Sequence, residues 1–128
     1  MQKDISVYNK SQTIGFKKIC DALVKEIDSG LKGSESKVWH GGPVWFIDGN
    51  PIVGYWVRKN SAQLLFWSGQ SFDEPGLKPE GKFKAAEAQY KDVADIKVTP
   101  LRRWLKKSKK IQWDYKNIVK RRGVLEKV

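Results

Sequence analysis

Between residues 13 and 31 the apolar side chains Ile14, Ile19, Leu23, Val24, Ile27 and Leu31 recur at helical spacing, with Lys17, Lys18, Lys25 and Asp28 off that stripe. The spacing predicts an amphipathic helix, with Ser11 as N-cap and Gly30 or Gly33 as its stop. From Lys37 the pattern shifts to short β-branched and aromatic runs between turn residues, which predicts strands over 37–40, 43–47, 52–58 and 62–67. Gly41-Gly42, Gly49-Asn50 and the 59–61 region are expected to turn between them. With Gly49-Asn50 as a two-residue loop, Ile47 faces Ile52, Phe46 faces Val53 and Trp45 faces Gly54. One sheet face then carries Val44, Phe46, Val53, Tyr55, Val57, Leu64 and Phe66. The other carries Trp45, Ile47, Ile52, Trp56, Leu65 and Trp67. Both faces are apolar, whereas an antiparallel sheet usually leaves one face wet. Helices are expected on the aliphatic face, and the Trp face is left for a loop, a ligand or another subunit.

Residues 68–82 hold Gly69, Pro75, Gly76, Pro79 and Gly81 and read as a long irregular loop. Residues 83–90 are read as a last strand, although Ala85, Ala86 and Ala88 favour helix by propensity. Thr99-Pro100 marks a helix start, with Thr99 as N-cap and Pro100 at the first position. Its apolar stripe runs through Leu101, Trp104, Leu105, Ile111, Tyr115, Ile118 and Val119, as one helix or two, and Gly123 is its expected end. The result is a single α+β domain over residues 1–128, an antiparallel sheet with N- and C-terminal helices packed mainly on one face.

Charge changes the picture at one end only. Of a net charge of +11, residues 97–128 hold 12 Lys and Arg against Asp114 and Glu126, while the rest of the chain is nearly balanced. Such a block bears on partners and not on fold. Arg102, Arg103, Lys106, Lys107 and Lys110 are therefore candidate anion-binding residues, with Trp104 and Trp113 available to stack on bases. The one cysteine, Cys20, excludes an internal disulfide and sits among apolar helix positions, where a buried inert thiol is expected. No secretory leader or membrane-spanning run is read, so a cytoplasmic protein is expected.

Gly42-Pro43-Val44-Trp45-Phe46, Gly49-Asn50-Pro51-Ile52-Val53-Gly54-Tyr55 and the run from Ile111 to Val119, together with the element order, resemble the YdhG-like domains of unknown function. The resemblance runs from about Gly15 to Gly123. It implies a cytoplasmic protein with a frataxin-like α+β fold. One branch of that family is regarded as intracellular iron chaperones serving iron–sulfur and haem assembly. The chain departs from that pattern, because Asp21, Glu26 and Asp28 are interleaved with Lys17, Lys18 and Lys25 and form no free acidic cluster.

Candidate chemistry is sparse. His40 is the only histidine and precedes a turn, where it can act as a ligand contact at a pocket rim. Trp45, Trp56 and Trp67 are expected to share a face, as a pocket for a planar ligand or as a core or dimer surface. No nucleotide-binding loop and no metal-ligand motif is present, and Asp114 has no catalytic partner in the sequence. The reading is a non-enzymatic binding or chaperone-like protein without cofactor or metal, monomeric or homodimeric, whose partner is a small ligand or a protein. An anion- or nucleic-acid-binding module and an iron chaperone are the alternatives, and no membrane partner is expected.

Overall fold

The computed structural model describes residues 1–128. Helix α1 is Lys3–Lys10 and α2 is Ile14–Gly30; six strands follow, and α3 is Val98–Lys110. The strands are β1 (Glu35–Trp39), β2 (Gly42–Ile47), β3 (Asn50–Val57), β4 (Ala62–Phe66), β5 (Lys78–Pro79) and β6 (Ala86–Tyr90). They form one antiparallel sheet in the order β1-β2-β3-β4-β6-β5. This is a single α+β domain. No helix is long and apolar enough to cross a membrane.

Both leading hairpins close on two left-handed residues, His40-Gly41 and Asp48-Gly49, one residue earlier than expected. Positive φ at both central positions matches the twist of the flanking strands and favours Gly in the second. Shifting the turn does not by itself change which residues share a face. A bulge does: Trp45 pairs with Val53 while Phe46 pairs with Pro51, leaving Ile52 as an extra residue in β3. Beyond that bulge β2 is turned over relative to the expected register. Trp45 joins Tyr55, Leu64 and Phe66 on the inner face, and Val44 and Phe46 join Trp56 on the outer face.

The inner face carries the main core. It packs on Ile19, Leu23 and Ile27 of α2 and on Leu101, Trp104 and Leu105 of α3. Trp45 is 1% exposed, and its indole N–H donates to Asp28 of α2 at 2.8 Å. Helix α1 is an addition to the expected elements. Its Asn9 accepts from Tyr55 Oη at 2.6 Å and donates to Asp21, and Tyr8 Oη accepts from the Val57 amide at 2.8 Å. Only Ile5 and Tyr8 mark its inward side, too little apolar signal to stand out in the sequence. Helices α2 and α3 approach closely at Gly30, where an added Cβ would sit 3.0 Å from Leu105.

Residues 86–90 are a strand, as expected, because pairing with β4 and burial of Ala86 and Tyr90 override the alanine propensity. Helix α3 stops at Lys110, well short of Gly123. From Ile111 onward the backbone is recruited by the sheet end instead: Trp113 N–H donates to Ser68 Oγ at 2.9 Å and Trp113 Nε1 to Ser71 at 3.0 Å. Gly123 lies in a later turn, its N–H donating to Ile118 O. The expected 68–82 loop contains β5 and is tied to α3 through Glu74.

Candidate functional site

Two glycines prepare the outer face. An added Cβ at Gly42 would lie 2.6 Å from the pyrrole edge of Trp56, and one at Gly54 would lie 2.9 Å from its benzo edge. The Trp56 indole therefore lies flat across the sheet in space that two absent side chains leave. Its N–H donates to the His40 carbonyl at 2.9 Å, which fixes the β1–β2 turn. Trp67 packs beside it at 5.8 Å between ring centroids, and Trp39 follows Trp67 at 6.2 Å. Trp39 also meets Phe46 edge-on at 5.4 Å, and the His40 ring at 4.0 Å.

Opposite this aromatic row stands the segment after α3. Asn50, 4% exposed, holds it with a fully used amide. Its Oδ1 accepts the Tyr115 and Lys116 N–H groups at 2.9 and 3.1 Å, and its Nδ2 donates to Gln112 Oε1 and Trp113 O at 3.1 and 2.9 Å. Tyr115 Oη accepts the Lys84 N–H at 3.0 Å, and its ring meets Phe83 edge-on. Lys116 Nζ donates to Asp48 O at 2.8 Å. Asp114 is pinned by Asn117 and Arg121, which hold its carboxyl below the usual range.

Between the row and the segment lies a groove of about 600 Å3. Trp39, Phe46, Pro51 and Trp67 form its sheet side, and Phe83, Tyr115, Ile118 and Val119 the opposite side. Lys37, His40 and Lys116 are its basic side chains, and no carboxylate lines it. Lys37 Nζ lies 5.1 Å above the Phe46 ring. A second concavity of about 430 Å3 lies along β6 beyond its short pairing with β5. Its walls mix Lys78 and Lys97 with Glu87 and Asp95, which gives a ligand charge no clear preference. The apolar groove with few convergent polar groups is the better ligand site.

The residues expected at a ligand site are thus divided. His40 and Trp67 line the groove, Trp56 supports it from below, and Trp45 lies on the other side of the sheet, bonded to α2. Trp39, Phe46, Lys37 and the 115–119 segment were not anticipated. Trp39 shares a strand face with Lys37, two residues away, and the Pro at position 51 is a recognised mark of a bulge; together they are the available signal.

The basic residues of α3 are divided too. Arg102 pairs with Glu26 at 2.8 Å, Arg103 and Lys107 clamp Glu74 at 2.9 and 2.7 Å, and Trp104 Nε1 donates to the same carboxylate. Those bonds, from Arg103 first and then Lys107, bring the Glu74 carboxyl down to about 2. Lys106 and Lys110 are exposed and form no ion pair. Cys20 is fully buried, and burial pushes its thiol up to about 12, which removes it as a nucleophile. No three His, Cys, Asp or Glu side chains come together as a metal site.

No family model matches the chain, and no curated protein matches it. Its fold is similar to that of a protein from Bacillus subtilis. That crystal structure, of a protein from the DUF1801 family (YdhG), superposes with a TM-score of 0.62 over 93% of this chain and 91% of the other, at 11% sequence identity. At that identity the likeness speaks for the fold alone.

Proposed function

We propose that this protein is a small-ligand-binding domain of YdhG-like type, and that its site is the aromatic groove between the outer sheet face and the 112–119 segment. The observation that carries the reading is the groove itself: Trp39, Phe46 and Trp67 stand over one wall while a segment held by Asn50 forms the other. The shared fold with a DUF1801 protein and the glycine-, proline- and tryptophan-rich motifs support the YdhG-like placement. A binding role is favoured over turnover because His40 has no carboxylate partner and Cys20 is buried. A lone cysteine in the core fits a reducing, cytoplasmic setting. The test is a titration with 2-naphthalenemethanol, a flat neutral probe, read by Trp fluorescence and repeated on Trp67→Ala. Saturable binding that this variant weakens at least several-fold supports the reading. Failure of both this probe and its anionic analogues to bind, or turnover of any substrate that depends on His40, overturns it.

A second reading is an anion- or nucleic-acid-binding surface on α3. It is favoured by a shallow recess of about 340 Å3 lined by Ser29, Gly30, Arg102, Lys106 and Lys109, whose one carboxylate, Glu26, already pairs with Arg102. The check is a mixed-sequence oligonucleotide titrated at low and physiological salt, with Lys106→Glu, Lys109→Glu and Lys110→Glu combined. Binding that persists at physiological salt and is lost in the triple variant would establish it. The iron-chaperone reading has the least support. Asp21 is engaged by Lys17 and Asn9, Glu26 by Arg102, and Asp28 by Trp45, so none of these carboxylates stands free for a hard cation.

A further inference from the structure

We infer that the ligand of this groove is an aromatic acid, a flat ring system bearing an oxyanion such as a carboxylate or phosphate. The inference rests on the groove being a binding site and adds the charge of what it takes. Lys37 and Lys116 enter the groove from opposite sides, one on β1 and one on the 112–119 segment, and no acidic side chain lines it. The nearest acid on the same face of β1, Glu35, lies one step beyond Lys37 and outside the lining. Asp48 contributes its backbone carbonyl to Lys116 rather than a charge to the groove.

The two lysines differ in use. Lys116 is held by the Asp48 carbonyl and so has a fixed place. The Lys37 ammonium makes no hydrogen bond or ion pair and rests over the Phe46 ring. A ring system slid between Trp39, Trp67 and Tyr115 would meet aromatic surface on both sides, with its oxyanion in reach of a cation that has no other anionic partner. A neutral ligand of the same shape would leave Lys37 as it is and gain nothing from it. Charge selection of this kind is separable from shape: the aromatic walls bind the body and the lysines select the acid.

The test compares 2-naphthoate and 2-naphthyl phosphate with neutral 2-naphthalenemethanol, by Trp fluorescence and calorimetry, on the wild type, Lys37→Glu and Lys25→Glu. Lys25 is exposed on α2, away from the groove, and controls for the overall positive charge. The expected result is that one or both anions bind roughly ten-fold tighter than the alcohol, with affinity that falls as salt rises. Lys37→Glu should erase that preference and leave the alcohol within about two-fold, while Lys25→Glu preserves it. Preference for carboxylate over phosphate, or the reverse, tells which oxyanion fits. Equal binding of all three probes overturns the inference and leaves the groove a neutral site. A preference that Lys25→Glu abolishes as well as Lys37→Glu overturns it in favour of bulk charge. Failure of all three to bind overturns the groove reading itself.

Discussion

Single residues set the outer face more than its strands do. Gly54 leaves room for the Trp56 ring, and an added Cβ would also lie 2.8 Å from the Pro43 carbonyl, which is backbone and has little freedom to give way. Gly54→Ala is therefore expected to destabilise the fold by about 1–3 kcal/mol, read by chemical denaturation. A shift in Trp fluorescence should accompany it, because Trp56 must lift from the sheet. Asn50 works at the same scale but through polarity. Its amide uses both donors and both acceptor positions on residues far along the chain. Asn50→Ala leaves the Tyr115 and Lys116 N–H groups without their acceptor and should cost roughly 1–3 kcal/mol. The telling measurement is local: hydrogen exchange at those two amides should accelerate while that of α2 stays slow. Neither role is visible in a single sequence, where Gly54 reads as a strand weakness and Asn50 as half of a turn.

Whole elements were legible where burial has a period. Helix α2 and strands β1 to β4 follow from the apolar spacing within a residue or two, because apolar residues recur in each at helix or strand spacing between turn residues. How the strands face one another is not carried by that spacing. One extra residue at Ile52 turned β2 over and moved Trp45 from the expected ligand face to the helix side. The end of α3 was overestimated for a similar reason: the apolar stripe continues to Val119, but Trp113, Tyr115 and Ile118 use it to cover the sheet end in a non-helical path. A basic helix face can also be an internal clamp. Arg103 and Lys107 anchor the 68–82 loop through Glu74. Because the folded-state carboxyl is depressed to about 2 from an ordinary value of 4.5, the stabilisation is present above pH 4.5 and lost as pH falls through about 2. Both cations are partly exposed, at 48% and 36%, so solvent screening holds the contribution to roughly 1–2 kcal/mol. Glu74→Gln should lower stability by that amount at pH 7, and the gap to wild type should close between pH 4.5 and 2 in denaturation curves.

At the scale of the molecule, the sheet divides the six tryptophans into two populations. Trp45 and Trp104 are shut in the main core and Trp56 is buried on the outer face, at 1%, 5% and 7% exposure, and Trp39, Trp67 and Trp113 are half-buried. Acrylamide quenching is expected to separate an accessible from a shielded fraction, and a groove ligand should protect Trp39 and Trp67. Quenching of Trp113, whose ring lies under Lys84 and outside the groove lining, should change little. The groove has one further property that follows from how it is walled. Its sheet side is built into the antiparallel ladder, and its other side is a stretch of chain docked by hydrogen bonds to Asn50, Ser68, Ser71, Lys84 and Asp48. Occupancy of the groove and docking of that stretch are then two aspects of one thermodynamic linkage. A ligand present at a hundred times its dissociation constant would hold the docked form by about 2.7 kcal/mol more than the empty protein does, if the undocked form binds none. Any mutation that frees the segment would weaken ligand affinity without touching a single ligand contact, and the apparent affinity would report the fraction of molecules in which the wall is in place.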